Sequence, residues 1–167
     1  MPAASDDIVF DFEGNLERAF YDFLLENGIE LATANDPQRL SDDFVGVQVF
    51  IGGINEDEHM SEKPGGQLEY DHYDYSVDIT IHTDRNENAV PASGFSRYHR
   101  ELVAKIRNLL SISRAAQVSS LNDSIDYYWI NRLVAGNTNY IPTDNSFDET
   151  TLTFEGDFSI LDSAWPA

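Results

Sequence analysis

The segment from Tyr73 to Thr83 constrains the fold more than any other part of the 167-residue chain. Its apolar residues Tyr73, Tyr75, Val77, Ile79 and Ile81 alternate with Asp74, Ser76, Asp78, Thr80 and His82. Successive strand side chains point to opposite faces, so this period of two predicts a strand with one face in a core and one in water. A wet face argues for an antiparallel sheet instead of a parallel sheet buried on both sides. Thr150 to Ile160 repeats the pattern, with Leu152, Phe154, Phe158 and Ile160 inward against Thr151, Thr153, Glu155, Asp157 and Ser159. Gly156 falls on that inward face and predicts close packing or a bulge.

Two further strands are weaker. Phe44 to Ile51 puts Val45, Val47 and Val49 on one face and Phe44 and Gln48 on the other, before the breakers Gly52-Gly53. Ile125 to Val134 is apolar on both sides, with Tyr127 and Trp129 against Tyr128 and Ile130. That two-sidedness means either a central strand covered twice or a strand at a subunit boundary. Ile29-Glu30-Leu31 is a candidate short strand.

Two segments carry the helical period instead. Leu16, Ala19, Phe20, Phe23 and Leu24 make one stripe over Leu16–Asn27, with Asn15 as N-cap and Gly28 as the left-handed terminator. Tyr21 is assigned to the solvated side as a possible contact residue. From Phe95 to Leu110, Tyr98, Leu102, Ile106 and Leu109 form the second stripe, widened by Phe95, Val103 and Leu110, with Ser93 or Ser96 as cap. The order helix, strand, strand, helix, strand, strand predicts an α+β fold: a mostly antiparallel four- or five-stranded sheet with two helices packed on one face. The expected organisation is an N-terminal arm over 1–14, a single domain over 15–162 with long loops at 52–69 and 136–148, and a C-terminal tail over 163–167.

Charge narrows the function. Thirty acidic residues face ten basic ones, a formal charge of −20, and Lys63 and Lys105 are the only lysines. No basic stripe exists to neutralise a run of phosphates, so tight nucleic-acid binding is not expected. Two explanations of the acidity stay open. One is adaptation to high salt, which the scarcity of lysine and the excess of Asp over Glu favour. The other is a surface along which DNA slides without adhering. The start of the chain has neither the basic nor the apolar region of a secretory signal. No apolar run approaches the roughly 20 residues that span a bilayer. The chain is expected to be soluble, with no membrane partner.

Chemistry leaves little trace. With no cysteine, thiol nucleophiles and cysteine metal sites are excluded. His59, His72, His82 and His99 follow no zinc-enzyme spacing, and His82 and His99 are not read as ligands. Asp84-x-Asn86-x-Asn88 begins like a calcium loop, but Ala89 replaces the needed glycine and Phe95 the bidentate glutamate. Asp144, Ser146, Asp148 and Glu149 form a second oxygen-rich group, best read as solvated loop carboxylates. No nucleophile elbow or phosphate-binding loop occurs. The expectation is no enzyme, no cofactor and no metal.

Aromatic residues are the better lead, because Tyr and Trp combine large contact area with a polar group. Tyr70, Tyr73, Tyr75, Tyr127, Tyr128 and Trp129 are candidates for a sheet band that mostly lines the core. The candidate interface residues are Tyr140, Trp165, Tyr73, Tyr128 and Trp129, with the acidic loop residues Glu56, Asp57 and Glu58.

The helix Leu16–Asn27, the Val-rich strand Phe44–Ile51, the breaker-rich loop, the Tyr-x-Val-x-Ile-x-Ile strand Tyr75–Ile81, the helix Phe95–Leu110 and the closing strand Thr150–Ile160 together resemble the tail-terminator, or tail-completion, proteins of long-tailed bacterial or archaeal viruses. The resemblance covers about Leu16 to Leu161 and rests on order, not on a single motif. It implies a homo-oligomeric ring, typically of six subunits, in the neck region of a virion assembled in the host cytoplasm. Such a ring ends tail-tube polymerisation, contacts the tail-tube protein and the head–tail connector protein, and lets DNA pass without specific binding. It also implies that loops 52–69 and 136–148 contact tube or connector. A head-completion or connector adaptor, or a monomeric salt-adapted binding domain, are the alternatives.

Overall fold

The computed structural model describes residues 10–29, 46–56, 72–84, 96–110, 121–122, 128–141 and 147–160. The elements are α1 (Phe12–Glu26), β1 (Gly46–Glu56), β2 (His72–Asp84), α2 (Arg97–Leu109), β3 (Tyr128–Ile141) and β4 (Phe147–Ile160). The four strands form one antiparallel sheet in the order β1-β2-β4-β3. The fold is therefore the α+β arrangement expected from the alternation, with four strands.

Both helices contribute to the same core. Leu16, Ala19, Phe20, Phe23 and Leu24 of α1 and Val103 and Ile106 of α2 join Val47, Val49, Ile51, Tyr75, Val77, Ile79, Ile81, Leu152, Phe154, Phe158 and Ile160 of the sheet. Each large side chain removed from water there contributes roughly 1.5–3 kcal/mol before chain entropy is charged against it.

Helix α1 begins a turn earlier than its stripe suggests. Asp11 caps it by accepting from the Gly14 N–H at 3.1 Å. The extra turn brings Phe12 against Tyr73, with ring centroids 4.7 Å apart, and against Phe158 at 5.6 Å. Asn15, the expected cap, instead donates to the Tyr128 hydroxyl at 3.1 Å. Residues 12–14 thus belong to the domain and not to an arm. At the far end Gly28, at φ +83°, donates to Leu25 O while Ile29 donates to Leu24 O, the paired closure that a left-handed residue permits.

Helix α2 departs from expectation in its first turn. Its N-cap is Ser96, as anticipated, but its buried residues are His99, Val103 and Ile106, and Tyr98 faces solvent. The reason is polar. His99 Nδ1 lies 2.8 Å from Thr83 Oγ1 and Nε2 lies 2.7 Å from Thr150 Oγ1, so burying the imidazole satisfies both nitrogens. Asp148, read as a solvated loop carboxylate, is fully buried and accepts from the Ser96 N–H at 2.9 Å. A carboxylate there also favours the positive end of the helix.

Strand β3 lies at a sheet edge, which rules out a central strand covered twice. It runs on to Ile141, and β4 begins at Phe147, so most of the expected 136–148 loop is strand; likewise residues 52–56 continue β1. Bulges at Ile130/Arg132 and Ala135/Thr138 interrupt its ladder. Gly156 meets the first of these, and a Cβ on it would collide with the Arg132 carbonyl oxygen. Close approach is why glycine stands on an otherwise apolar face. No helix among the described residues is long and apolar enough to cross a membrane.

Candidate functional site

The sheet's second face carries no helix among the described residues, and its side chains sort by strand. The central strands β2 and β4 present Asp74, Asp78, Glu155 and Asp157. The outer strands present large apolar groups: Phe50 on β1, 65 % exposed, and Trp129 and Val134 on β3, 49 % and 47 % exposed. An acidic centre therefore lies between two apolar margins. Hydrogen bonds lace the centre: Thr153 Oγ1 donates to Asp78 Oδ1 at 2.8 Å, and the Thr80 and Thr151 hydroxyls meet at 3.2 Å.

Each sheet edge is stopped at one point by a side chain. Tyr21 reaches from α1 so that its hydroxyl accepts from the Val49 N–H at 2.8 Å. It is buried and is not the surface contact expected of it. On the other edge Asn122 brackets Ile130, its Oδ1 accepting from Ile130 N at 2.7 Å and its Nδ2 donating to Ile130 O at 3.1 Å. Unpaired backbone is what recruits a foreign strand, so these contacts and the bulges discourage simple sheet extension.

The candidate interface residues do not form one patch. Trp129 is on the acidic face; Tyr73 and Tyr128 are on the helix side, Tyr73 stacked on Phe158 at 5.5 Å and Tyr128 tilted against it at 4.7 Å. Tyr128 is fully buried and so is a core residue, not a surface contact. Tyr140 is partly exposed at the far end of β3, its ring 6.5 Å from that of His99. Glu56 is the last residue of β1, opposite Tyr73. Asp57, Glu58 and Trp165 lie outside the described residues. Phe50 was missed, although it follows from the alternation that puts Gln48 outward.

A polar cluster also escaped the sequence. His72 Nε2 lies 3.4 Å from Asp157 Oδ1, Arg132 Nε lies 3.2 Å from Asp157 Oδ2, and His72 Nδ1 lies 3.1 Å from Ser159 Oγ. Asp74, directly opposite Asp157, completes a set in which His72, Asp74 and Asp157 each bring one ligand atom within 4.8 Å of the others. Ser159, His72 and Asp157 also form a hydroxyl–imidazole–carboxylate chain. The carboxylate stands 3.4 Å from the ring, longer than a charge-assisted hydrogen bond, and is also engaged by Arg132. Beside the cluster is a depression of about 380 Å³ lined by Asn55, Asp74, Tyr75, Arg132 and Glu155 among others. Burial, and secondarily the Asp157 carboxylate, pushes the Tyr75 hydroxyl above its usual range. Ser76 there donates to Gly52 O at 3.0 Å.

Fold and site define a two-layer α+β domain with one helix-covered and one acidic sheet face. No protein-family model matches the chain, and no curated protein matches it.

Proposed function

We propose that this chain is a non-enzymatic structural subunit that closes side by side into a ring, acting as the tail terminator of a long-tailed virus. In that role the ring caps the tail tube, ends its polymerisation and joins it to the head connector, and DNA passes through the hole. The observation that carries the reading is the placing of Phe50 on one margin of the uncovered face and Trp129 and Val134 on the other. A closed ring repeats one heterologous contact, in which one side of each subunit meets the opposite side of the next. Two apolar margins on opposite edges supply those sides. The carboxylates between them would then face the lumen, where a field of one sign keeps a duplex from adhering. Because Tyr21 and Asn122 stop the edges, neighbours in this reading meet through side chains and not by continuing the sheet.

The test is solution mass by light scattering at low and molar salt, with negative-stain images of the same samples. Rings with a central hole are expected, and Phe50→Asp or Trp129→Ser should return monomers whose circular dichroism is unchanged. Added tail-tube protein should bind the rings; binding to connector protein alone would assign the ring to the head side. A wild-type monomer in both salts that ignores tube protein overturns the reading and leaves a salt-adapted binding domain.

A further inference from the structure

We propose that His72, Asp74 and Asp157 bind one divalent transition cation of the zinc(II) type on the acidic face of the sheet. The ligands are His72 Nε2 and one oxygen from each carboxylate, and the remaining position opens outward to water. This inference stands independently of the ring reading.

Strand geometry assembles the set. His72 and Asp74 are two residues apart on β2 and so share a face, and Asp157 on β4 is the cross-strand partner of Asp74. Like charges directly opposite each other in a sheet are destabilising. Here that pairing occurs in a chain already at −20, with Arg132 engaging Asp157. A dication among the three groups removes the repulsion and brings the pair of carboxylates to local neutrality.

Distances fit an ion better than a direct ion pair. Charge-assisted N–H···O contacts close to about 2.7–2.9 Å. His72 Nε2 and Asp157 Oδ1 stand 3.4 Å apart. Ligands at about 2.05 Å from a tetrahedral zinc are separated by about 3.3 Å along each edge, so these two atoms already span one. The third ligand atom, from Asp74, lies within 4.8 Å of the other two, and the exposed Asp74 side chain can close on an ion by a change of rotamer.

The ligands are also held from behind, as metal ligands are. With Nε2 as ligand, Nδ1 carries the proton and donates to Ser159 Oγ, whose second lone pair accepts from Asn131 Nδ2 at 2.9 Å. Arg132 orients Asp157 through Oδ2 and leaves Oδ1 toward the imidazole. The donor set selects the metal. One imidazole and two carboxylates suit zinc(II) or cobalt(II), whereas calcium(II) takes six to eight oxygens and magnesium(II) keeps most of its water.

The experiment is equilibrium dialysis of the full chain against zinc(II), with excess magnesium(II) and molar salt to occupy ordinary surface carboxylates. One zinc per chain is expected. Asp74→Asn, at an exposed position, should weaken binding at least tenfold, and His72→Gln should abolish it. Asp78→Asn, on the same face of the same strand, should leave it unchanged. Cobalt(II) should give visible absorption bands that Asp74→Asn removes. Zinc displaced by the magnesium excess, or lost equally in Asp78→Asn and Asp74→Asn, would mean diffuse condensation on an acidic surface and overturn the proposal. So would full binding by folded His72→Gln.

Discussion

The two faces of the sheet are made from the same four strands by the same alternation, yet they are held by different physics. On the helix side, Phe158 is fully buried among Phe12, Tyr73, Tyr75 and Tyr128, and the buried imidazole of His99 is held by two threonine hydroxyls. On the other side, carboxylates face one another across neighbouring strands, and the largest apolar groups stand at the margins in water. The first face sets stability. The second contributes little to the fold of one chain, which leaves its residues available for contacts that one chain does not make.

The sharpest way to break this contrast is to truncate one aromatic on each face. Phe158→Ala should cost about 3–5 kcal/mol, from lost burial plus the cavity left under four rings. Phe50→Ala should change stability by no more than about 0.5 kcal/mol, since it vacates only solvent-exposed space. Urea unfolding of the two variants under conditions that keep the chain monomeric measures both. Similar losses would show that the uncovered face is part of the core energetics.

Next in size is His99→Ala, expected at about 3 kcal/mol. The change opens a cavity and strips the partner from the Thr83 and Thr150 hydroxyls in a dry environment. The loss should appear as earlier hydrogen exchange in α2 and in the Thr83 end of β2. A cost under about 1 kcal/mol would mean that water enters and replaces the imidazole.

How much of this was legible follows from which physical rule governed each residue. The alternations of β2 and β4 named their core residues correctly because period two depends only on the local chain. Tyr98 was misassigned because hydropathy favours burying tyrosine, whereas two threonine hydroxyls from distant strands decide for burying His99 instead. Tyr21 went wrong for the same reason: the amide that it serves, Val49 N–H, belongs to an edge strand whose position no local pattern reveals. Register hid the third case. His72 and Asp74 were visibly on one face, but only the β2–β4 pairing brings Asp157 opposite Asp74.

Tyr21→Phe tests the edge more gently. It removes one hydroxyl from a buried amide and should cost about 1–2 kcal/mol. If β1 is held mainly by its ladder to β2, amide exchange at Val49 will quicken and its neighbours' will not. Exchange rising along all of β1 would show instead that this one bond holds the edge in register.

The smallest expected change lies where the two faces nearly touch. Tyr75 packs on the helix side, but its hydroxyl sits 3.1 Å from where a Gly156 Cβ would be and meets no hydrogen-bond partner among the described residues. Tyr75→Phe should therefore alter stability near neutral pH by less than about 0.5 kcal/mol, because the hydroxyl it deletes gains nothing in the fold. Alkaline pH exposes the difference. Burial raises the folded pKa of Tyr75, with Asp157 adding to it, so the unfolded chain releases this proton first. The stability is complete below the ordinary tyrosine value near 10 and falls as pH climbs beyond it, by about 1.4 kcal/mol per pH unit for this one group. The phenylalanine variant should lose stability less steeply above about pH 10, the difference approaching the slope of one proton. Parallel slopes would mean that the hydroxyl is solvated through the Gly156 gap, and that the sheet is more open between its faces than the packing of Tyr75 implies.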